Sequence, residues 1–288
     1  MNKQVEANMN VRGRSIGAIL LDSGRLSMEN AEKILRYQRE HKVRFGEAAI
    51  SLGILTDEDI QFALSDQYDY SYIQGADSRV SKDIIAAFNP FSPVAESMRA
   101  LRSQLLIRWF SAEDKRFLCV VGDQRGDGRS FLAANLAVVF SQLGEKTLLV
   151  DADMRNPQLH ALFGIENDKG LSTLLVGRAS ADEVSNKITG LLGLTVLPAG
   201  PIPPNPQELI AKCFGSQLIA WAKQSFDVVI IDTPAAAMYA DAQAIASHAG
   251  GAVLVAREHV TEVTRLKQLA ADISQVGAAV VGSVFNQF

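Results

Sequence analysis

Phe117-Leu-Cys-Val-Val121 runs without a polar residue into Gly122-Asp123-Gln124-Arg125-Gly126-Asp127-Gly128-Arg129-Ser130. The apolar run reads as a buried strand, and a helical pattern over Ser130–Leu143 follows the glycines. Strand, glycine-rich loop and helix in that order are the setting of a phosphate-binding loop, where backbone N–H groups form an anion nest at a helix start. The usual loop has a lysine after the last glycine, facing phosphate, and then a Ser or Thr for Mg²⁺. Here Ser130 is in place, but the lysine position holds Arg129. The first glycine of the strict spacing is also displaced, because position 123 is Asp and the glycine is Gly122. Gly126, Gly128, Arg129 and Ser130 are the candidate phosphate residues.

Two acidic segments support this reading. Leu148-Leu-Val-Asp151-Ala-Asp153-Met-Arg155-Asn-Pro157 and Val228-Val-Ile-Ile-Asp232-Thr-Pro234 each end an apolar run in Asp. An Asp at the carboxyl end of a buried parallel strand faces the ligand crevice of an open sheet. Asp151, Asp153 and Asp232 there can orient Mg²⁺ or take a proton from a hydroxyl. Further strands are expected at Thr147–Val150, Leu194–Leu197, Ala252–Ala256 and Ala279–Val284. Helices are expected at Pro93–Phe110, Pro206–Gln224, Ala240–His248 and Val260–Val276. Apolar runs alternating with helices predict an α/β fold with a mostly parallel sheet covered on both faces.

The chain before this region is different. Sliding it by 29 residues lays 15–38 on 44–67, with six identities in 24 positions: Gly17/Gly46, Gly24/Gly53, Leu26/Leu55, Glu29/Glu58, Leu35/Leu64 and Gln38/Gln67. Average usage would give about one or two. Each copy reads as a short helix, a glycine stop and a second helix capped by Ser27 or Thr56. Ala31, Leu35 and Gln38, and likewise Ile60, Leu64 and Gln67, fall at i, i+4, i+7 on one helix face. A small all-helical tandem-repeat domain is expected over 1–75. A linker with one short helix follows over 76–93, and the P-loop domain occupies 94–288. Tyr68, Tyr70 and Tyr72 alternate near the junction, a pattern that suits packing better than modification.

Composition bounds the classes. The 288 residues are 48% hydrophobic and 21% charged, with 28 basic and 32 acidic residues, which excludes a disordered or collagenous chain. Two cysteines without a Cys-x-x-Cys pair argue against a zinc site or a disulfide framework and for a reducing compartment. The polar start and the lack of a long apolar run predict a cytoplasmic chain with no membrane insertion. Residues 1–46 carry nine Lys/Arg against five acids in an otherwise acidic chain, a bias that suits an anionic ligand or simply solvated helix faces.

Residues from about 90 onward resemble the bacterial tyrosine kinases of polysaccharide export, relatives of the partitioning and septum-placement ATPases. The resemblance rests on Glu96-x-x-Arg99-x-x-Arg102, the glycine loop, Asp151-Ala-Asp153-Met-Arg155-Asn-Pro157, Pro203-Pro-Asn205-Pro-Gln-Glu208, Asp232-Thr-Pro234 with Asp241, and Gly282-Ser-Val-Phe-Asn286. It implies ATP or ADP with Mg²⁺ on Ser130 and Asp232, and catalysis by Asp151, Asp153 and Asp232. It also implies homo-oligomer contacts through Glu96, Arg99 and Arg102. The partner implied is a membrane polysaccharide copolymerase that would hold the chain at the inner membrane, with no nucleic acid. The family's loop lysine is absent, as is its C-terminal tyrosine cluster, since the last tyrosine is Tyr239. Impaired phosphoryl transfer is therefore expected. The tandem repeat resembles the N-terminal domain of type II secretion and pilus-extension ATPases, which binds cyclic di-GMP. By that resemblance the ligand residues are Arg14, Ser15, Ile16, Gly17, Ala31, Leu35 and Gln38, then Arg44, Phe45, Gly46, Ile60, Leu64 and Gln67. The expected whole is a cyclic di-GMP-responsive, kinase-like regulator of exopolysaccharide assembly. The rivals are an active ATP-dependent tyrosine kinase, a partitioning-type ATPase, and a scaffold with both sites dead.

Overall fold

A computed structural model describes residues 14–68, 71–73, 78–112 and 114–287. The basic positions before Arg14, together with Tyr70, lie outside them. The chain divides into two compact units, Met1–Gln74 and Gly75–Phe288.

The N-terminal unit is two helix pairs: α1 (Ile16–Asp22) with α2 (Met28–His41), then α3 (Phe45–Ser51) with α4 (Asp57–Tyr68). Gly24 and Gly53 take φ of +72° and +64°, the left-handed turn that L side chains resist. Ser27 Oγ accepts from Asn30 N, and Thr56 Oγ1 from Asp59 N, so both sequence-predicted caps form. The core joins Ile19, Leu20, Leu26, Ala31 and Ile34 to Ala48, Ala49, Leu55 and Ala63.

The C-terminal unit is a seven-stranded sheet: β1 (Phe117–Gly122), β2 (Thr147–Asp151), β3 (Asn186–Lys187), β4 (Leu194–Leu197), β5 (Val228–Asp232), β6 (Gly251–Arg257) and β7 (Ala279–Asn286). The order is β3-β4-β2-β5-β1-β6-β7, all parallel except the short β3. Its helices are α5 (Ile85–Phe88), α6 (Pro93–Leu105), α7 (Arg129–Ser141), α8 (Leu159–Phe163), α9 (Leu171–Leu175), α10 (Ala181–Val184), α11 (Pro206–Cys213), α12 (Ala220–Ser225), α13 (Asp241–Ala249) and α14 (Val263–Gln275). Strands β1, β2, β4 and β5 are buried at every residue, as a sheet covered on both faces requires. Two expected long helices contain π-helical turns, at Leu106–Phe110 and Phe214–Ile219.

From residue 78 onward the stretch expected as a linker packs into this unit, and its expected short helix forms as α5. Val80, Ile84, Ala86 and Ala87 are buried. Asn135, itself fully buried on α7, accepts from Ala86 N at 3.0 Å, and Gln142 Nε2 donates to Ala86 O at 2.9 Å. A helix as apolar all round as α7 needs cover on the side away from the sheet.

Candidate functional site

In the C-terminal unit the glycine loop leaves the central strand β1 and closes on the start of α7. Gly126 and Gly128 have φ of +90° and +93°, a conformation that turns backbone N–H groups toward one side. The displaced glycine has a reason. A Cβ on Gly122 would lie 3.1 Å from both Arg129 Cγ and Asp127 Oδ2, because both side chains fold back over it.

Arg129 is buried and turned inward. Its Nε donates to Thr233 O at 2.9 Å and its Nη1 to Gln124 O. The guanidinium thus ties the loop to the end of β5. Asp127, also buried, accepts from Gln124 N at 2.8 Å and from the Thr261 hydroxyl at 3.2 Å. The Asn286 amide donates to Asp127 O at 2.7 Å. Asp123 pairs with Arg265. The loop is fixed from β5, β7 and α14 at once.

The carboxylates converge at the same end of the sheet, where β2 and β5 pair Asp151 with Asp232. Ser130 Oγ donates to Asp232 Oδ2. Asp232 Oδ1 is buried without a hydrogen-bond partner, an orphan acceptor that a native fold rarely leaves unexplained. Burial pushes the Asp232 carboxyl up to about 7, with the Asp153 charge adding to it against the Ser130 hydrogen bond and the Arg129 charge. Burial, and then the charge of Asp232, hold Asp151 well above the usual carboxylate range. Two buried acids and one orphan oxygen beside a hydroxyl fit a hard divalent cation. Among the described residues no group of three or more His, Cys, Asp or Glu side chains is placed to hold a metal ion by itself.

The acids are not equivalent. Asp151 accepts three backbone N–H groups, from Asp153, Gln158 and Leu159, and so holds the chain beyond β2. Asp153, also buried, accepts from Arg155 N and Asn156 N. Arg155 pairs with buried Asp241 at 2.7 Å and lies over the Tyr239 ring at 3.9 Å. Sequence reasoning left Arg155, Tyr239 and Arg257 off the site. The rule that picked out the aspartates, a polar residue at the carboxyl end of a buried strand, also finds Arg257.

On α6, Arg99 pairs with Glu96 at 2.6 Å and Arg102 donates to Val139 O at 2.6 Å. Glu96 stays 70% exposed.

In the N-terminal unit the two copies meet at their motif starts. A Cβ on Gly17 would touch the Phe45 ring at 3.3 Å, and one on Gly46 would touch Ile60 at 3.4 Å. Gln67 Nε2 donates to Arg14 O at 2.9 Å. Leu35, Gln38, Arg39, Lys42 and Val43 line an open groove of about 600 Å³. In α2 the core uses Ala31 and Ile34, which leaves Leu35 45% exposed. Four expected ligand residues are otherwise engaged, Gln67 through its bond to Arg14 O. Ala31 is buried, Ser15 caps α1 by accepting from Ala18 N, and Arg14 pairs with Asp22. Arg44 is exposed, while Ile16, Ile60 and Leu64 are half-buried.

Residues 115–276 match the family model described as cellulose biosynthesis protein BcsQ. The chain is 35% identical over 211 residues to tyrosine-protein kinase YwqD of Bacillus subtilis, covering 73% of this chain and 87% of that one. It is 34% identical over 214 residues to tyrosine-protein kinase wzc of Salmonella typhimurium, covering 74% of this chain but only 30% of wzc. The solved kinase domain of Escherichia coli tyrosine kinase ETK superimposes with a TM-score of 0.69 at 29% identity, over 76% of this chain and 85% of that one.

Proposed function

The chain belongs to the bacterial tyrosine-kinase family, within the wider BcsQ-like P-loop fold, and from that premise we propose a cyclic di-GMP-responsive regulator of exopolysaccharide assembly whose own phosphoryl transfer is impaired. Its place would be the cytoplasm, at a membrane copolymerase and in an oligomer built through the exposed Glu96 edge of α6. No helix among the described residues is long and apolar enough to cross a membrane, so a protein partner would supply the membrane contact.

The observation that carries the sensing half is the exposed Leu35 in a groove with Gln38 and Val43. A leucine spared by the core and set beside an amide and two cations suits a flat base with a phosphate next to it. The second copy offers Arg44, whose fork matches phosphate or guanine O6/N7.

In the C-terminal unit ATP or ADP would lie on the loop from Gly126 to Ser130. Ser130 and Asp232 would hold Mg²⁺, which neutralises charge on the phosphates when bound. Asp153 would receive the proton of an attacking hydroxyl, with Asp151 fixing the backbone beneath it. Arg129 directs its Nε and Nη1 donors at Thr233 O and Gln124 O, so its guanidinium would be held toward carbonyls rather than aimed at a transferring group. A broad guanidinium in the place of a compact ammonium is not a neutral exchange.

Cyclic di-GMP would act by favouring one arrangement of the chain or its oligomer over another. Sedimentation of the full chain with and without saturating cyclic di-GMP, alone and with the copolymerase's cytoplasmic segment, tests this. A change in assembly state or in partner affinity of at least about fivefold is expected. Unchanged sedimentation and affinity would contradict it.

A further inference from the structure

Besides Arg125 at its exposed tip, the glycine loop has two arginines close to its nest, Arg129 and Arg257, and they do different things. Arg129 follows the nest in the chain, yet its guanidinium is buried against Thr233 O and Gln124 O. Arg257 comes from the far end of β6. In the sheet Gly122 stands opposite Val255, so Arg257 emerges two residues further on, beside the loop. Its Nη1 lies 3.9 Å from where a Cβ of Gly126 would sit. Gly126 is exposed and Arg257 half-buried, so the guanidinium borders the open side of the nest.

Its backbone is fixed there. Arg257 N donates to Thr261 Oγ1 at 2.8 Å, and that hydroxyl donates to Asp127 Oδ1. Asp127 in turn accepts from Gln124 N within the loop. The strand end and the loop are therefore one hydrogen-bonded unit, and the position of Arg257 is set by the same bonds that shape the nest. A preorganised cation of this kind strengthens a phosphate contact because little is reorganised on binding.

We propose that Arg257 is the phosphate-binding cation of this loop, supplying from β6 the charge that Arg129, turned onto carbonyls, does not present. The inference rests on the nucleotide reading above. It further implies that nucleotide affinity and transfer competence are separable here. Arg257 would retain the phosphates, while the position of the missing lysine stays without a cation facing the transferring group.

The test is titration calorimetry of Mg-ATP and of adenosine into the full chain, for wild type, Arg257→Gln, Arg257→Lys, Arg125→Gln and Arg129→Lys/Arg257→Gln. Arg257→Gln should weaken Mg-ATP roughly 10- to 100-fold, the loss of one charge-assisted contact, and leave adenosine affinity unchanged. Arg257→Lys should lose less than about fivefold, since it keeps the charge. Arg125→Gln, at the exposed loop tip, should change little. A lysine restored at position 129 should recover much of the Arg257→Gln loss. Equal loss for Mg-ATP and adenosine would make Arg257 a purely structural residue and overturn the proposal. So would Arg257→Gln binding Mg-ATP as tightly as wild type. Should Arg257→Gln not fold, a Lys variant that folds but binds as weakly as the loop with no cation, more than 100-fold below wild type, overturns it too. Wild type binding no Mg-ATP at all would remove the nucleotide reading and this inference together, an outcome distinct from the others.

Discussion

The two units hold their candidate site residues in opposite places. In the C-terminal unit Asp151 and Asp232 are fully buried and Arg129 nearly so, each held by backbone or by a partner. In the N-terminal unit Leu35, Arg44 and Gln38 lie at or near the surface, set by helix geometry alone. A buried charge is costly unless its partner arrives, so the first design stores strain that a bound cation relieves. A surface groove stores little and gains affinity only by matching its ligand. Removing a group should therefore cost more in the first than in the second.

The largest contrast should come from Asp232→Ala. Loss of the orphan oxygen and of the Ser130 partner should weaken Mg²⁺-dependent nucleotide binding by more than about 100-fold, read by calorimetry with and without EDTA. An effect under fivefold would mean that the buried acids are only structural.

Next is Arg129→Lys. If the guanidinium is locked onto the loop's carbonyls, an ammonium there should raise phosphoryl transfer from radiolabelled ATP by about 10- to 100-fold. An active wild type with an unimproved variant would instead favour the tyrosine-kinase rival.

A smaller effect is in stability. With Asp232 up near 7 against an ordinary 3.8, the folded chain keeps a proton that the unfolded chain has lost between about pH 4 and 7. Stability from this group is full below that window and falls as pH rises through it, by at most ~1.4 kcal/mol per pH unit. Asp151 acts in the same direction. Denaturant melts without Mg²⁺ should show Asp232→Asn gaining on wild type at pH 8 and matching it near pH 4. A parallel pH dependence for both would show that Asp232 is not perturbed.

Much of this architecture could be read from particular residues. The six strands marked by apolar runs all form; β1, β2, β4, β5 and nearly all of β6 are buried, where a sheet covered on both faces demands apolar residues, while β7 is partly exposed. The glycines at 24 and 53 and the caps at 27 and 56 fall where local sterics place them. What escaped reading depends on distance in the chain. The two-residue β3 has no period to detect. Ala86 is docked by Asn135, 49 residues away, so segment 76–93 looked like a linker. Arg257 meets the loop through the β1–β6 register and through Thr261, whose hydroxyl bonds Asp127 134 residues away in the chain. On the N-terminal side, Ala31 shares a face with Leu35 in the i, i+4 pattern, yet the core takes one and spares the other, a choice that packing makes and periodicity does not.

The most direct measurement is titration of cyclic di-GMP into the full chain, alongside Arg44→Ala, with amide exchange recorded across residues 14–68. Saturable binding is expected, weakened by roughly 10- to 100-fold in Arg44→Ala, with protection concentrated near Leu35, Gln38 and Arg44. No heat and no protected amides at millimolar cyclic di-GMP would contradict the account.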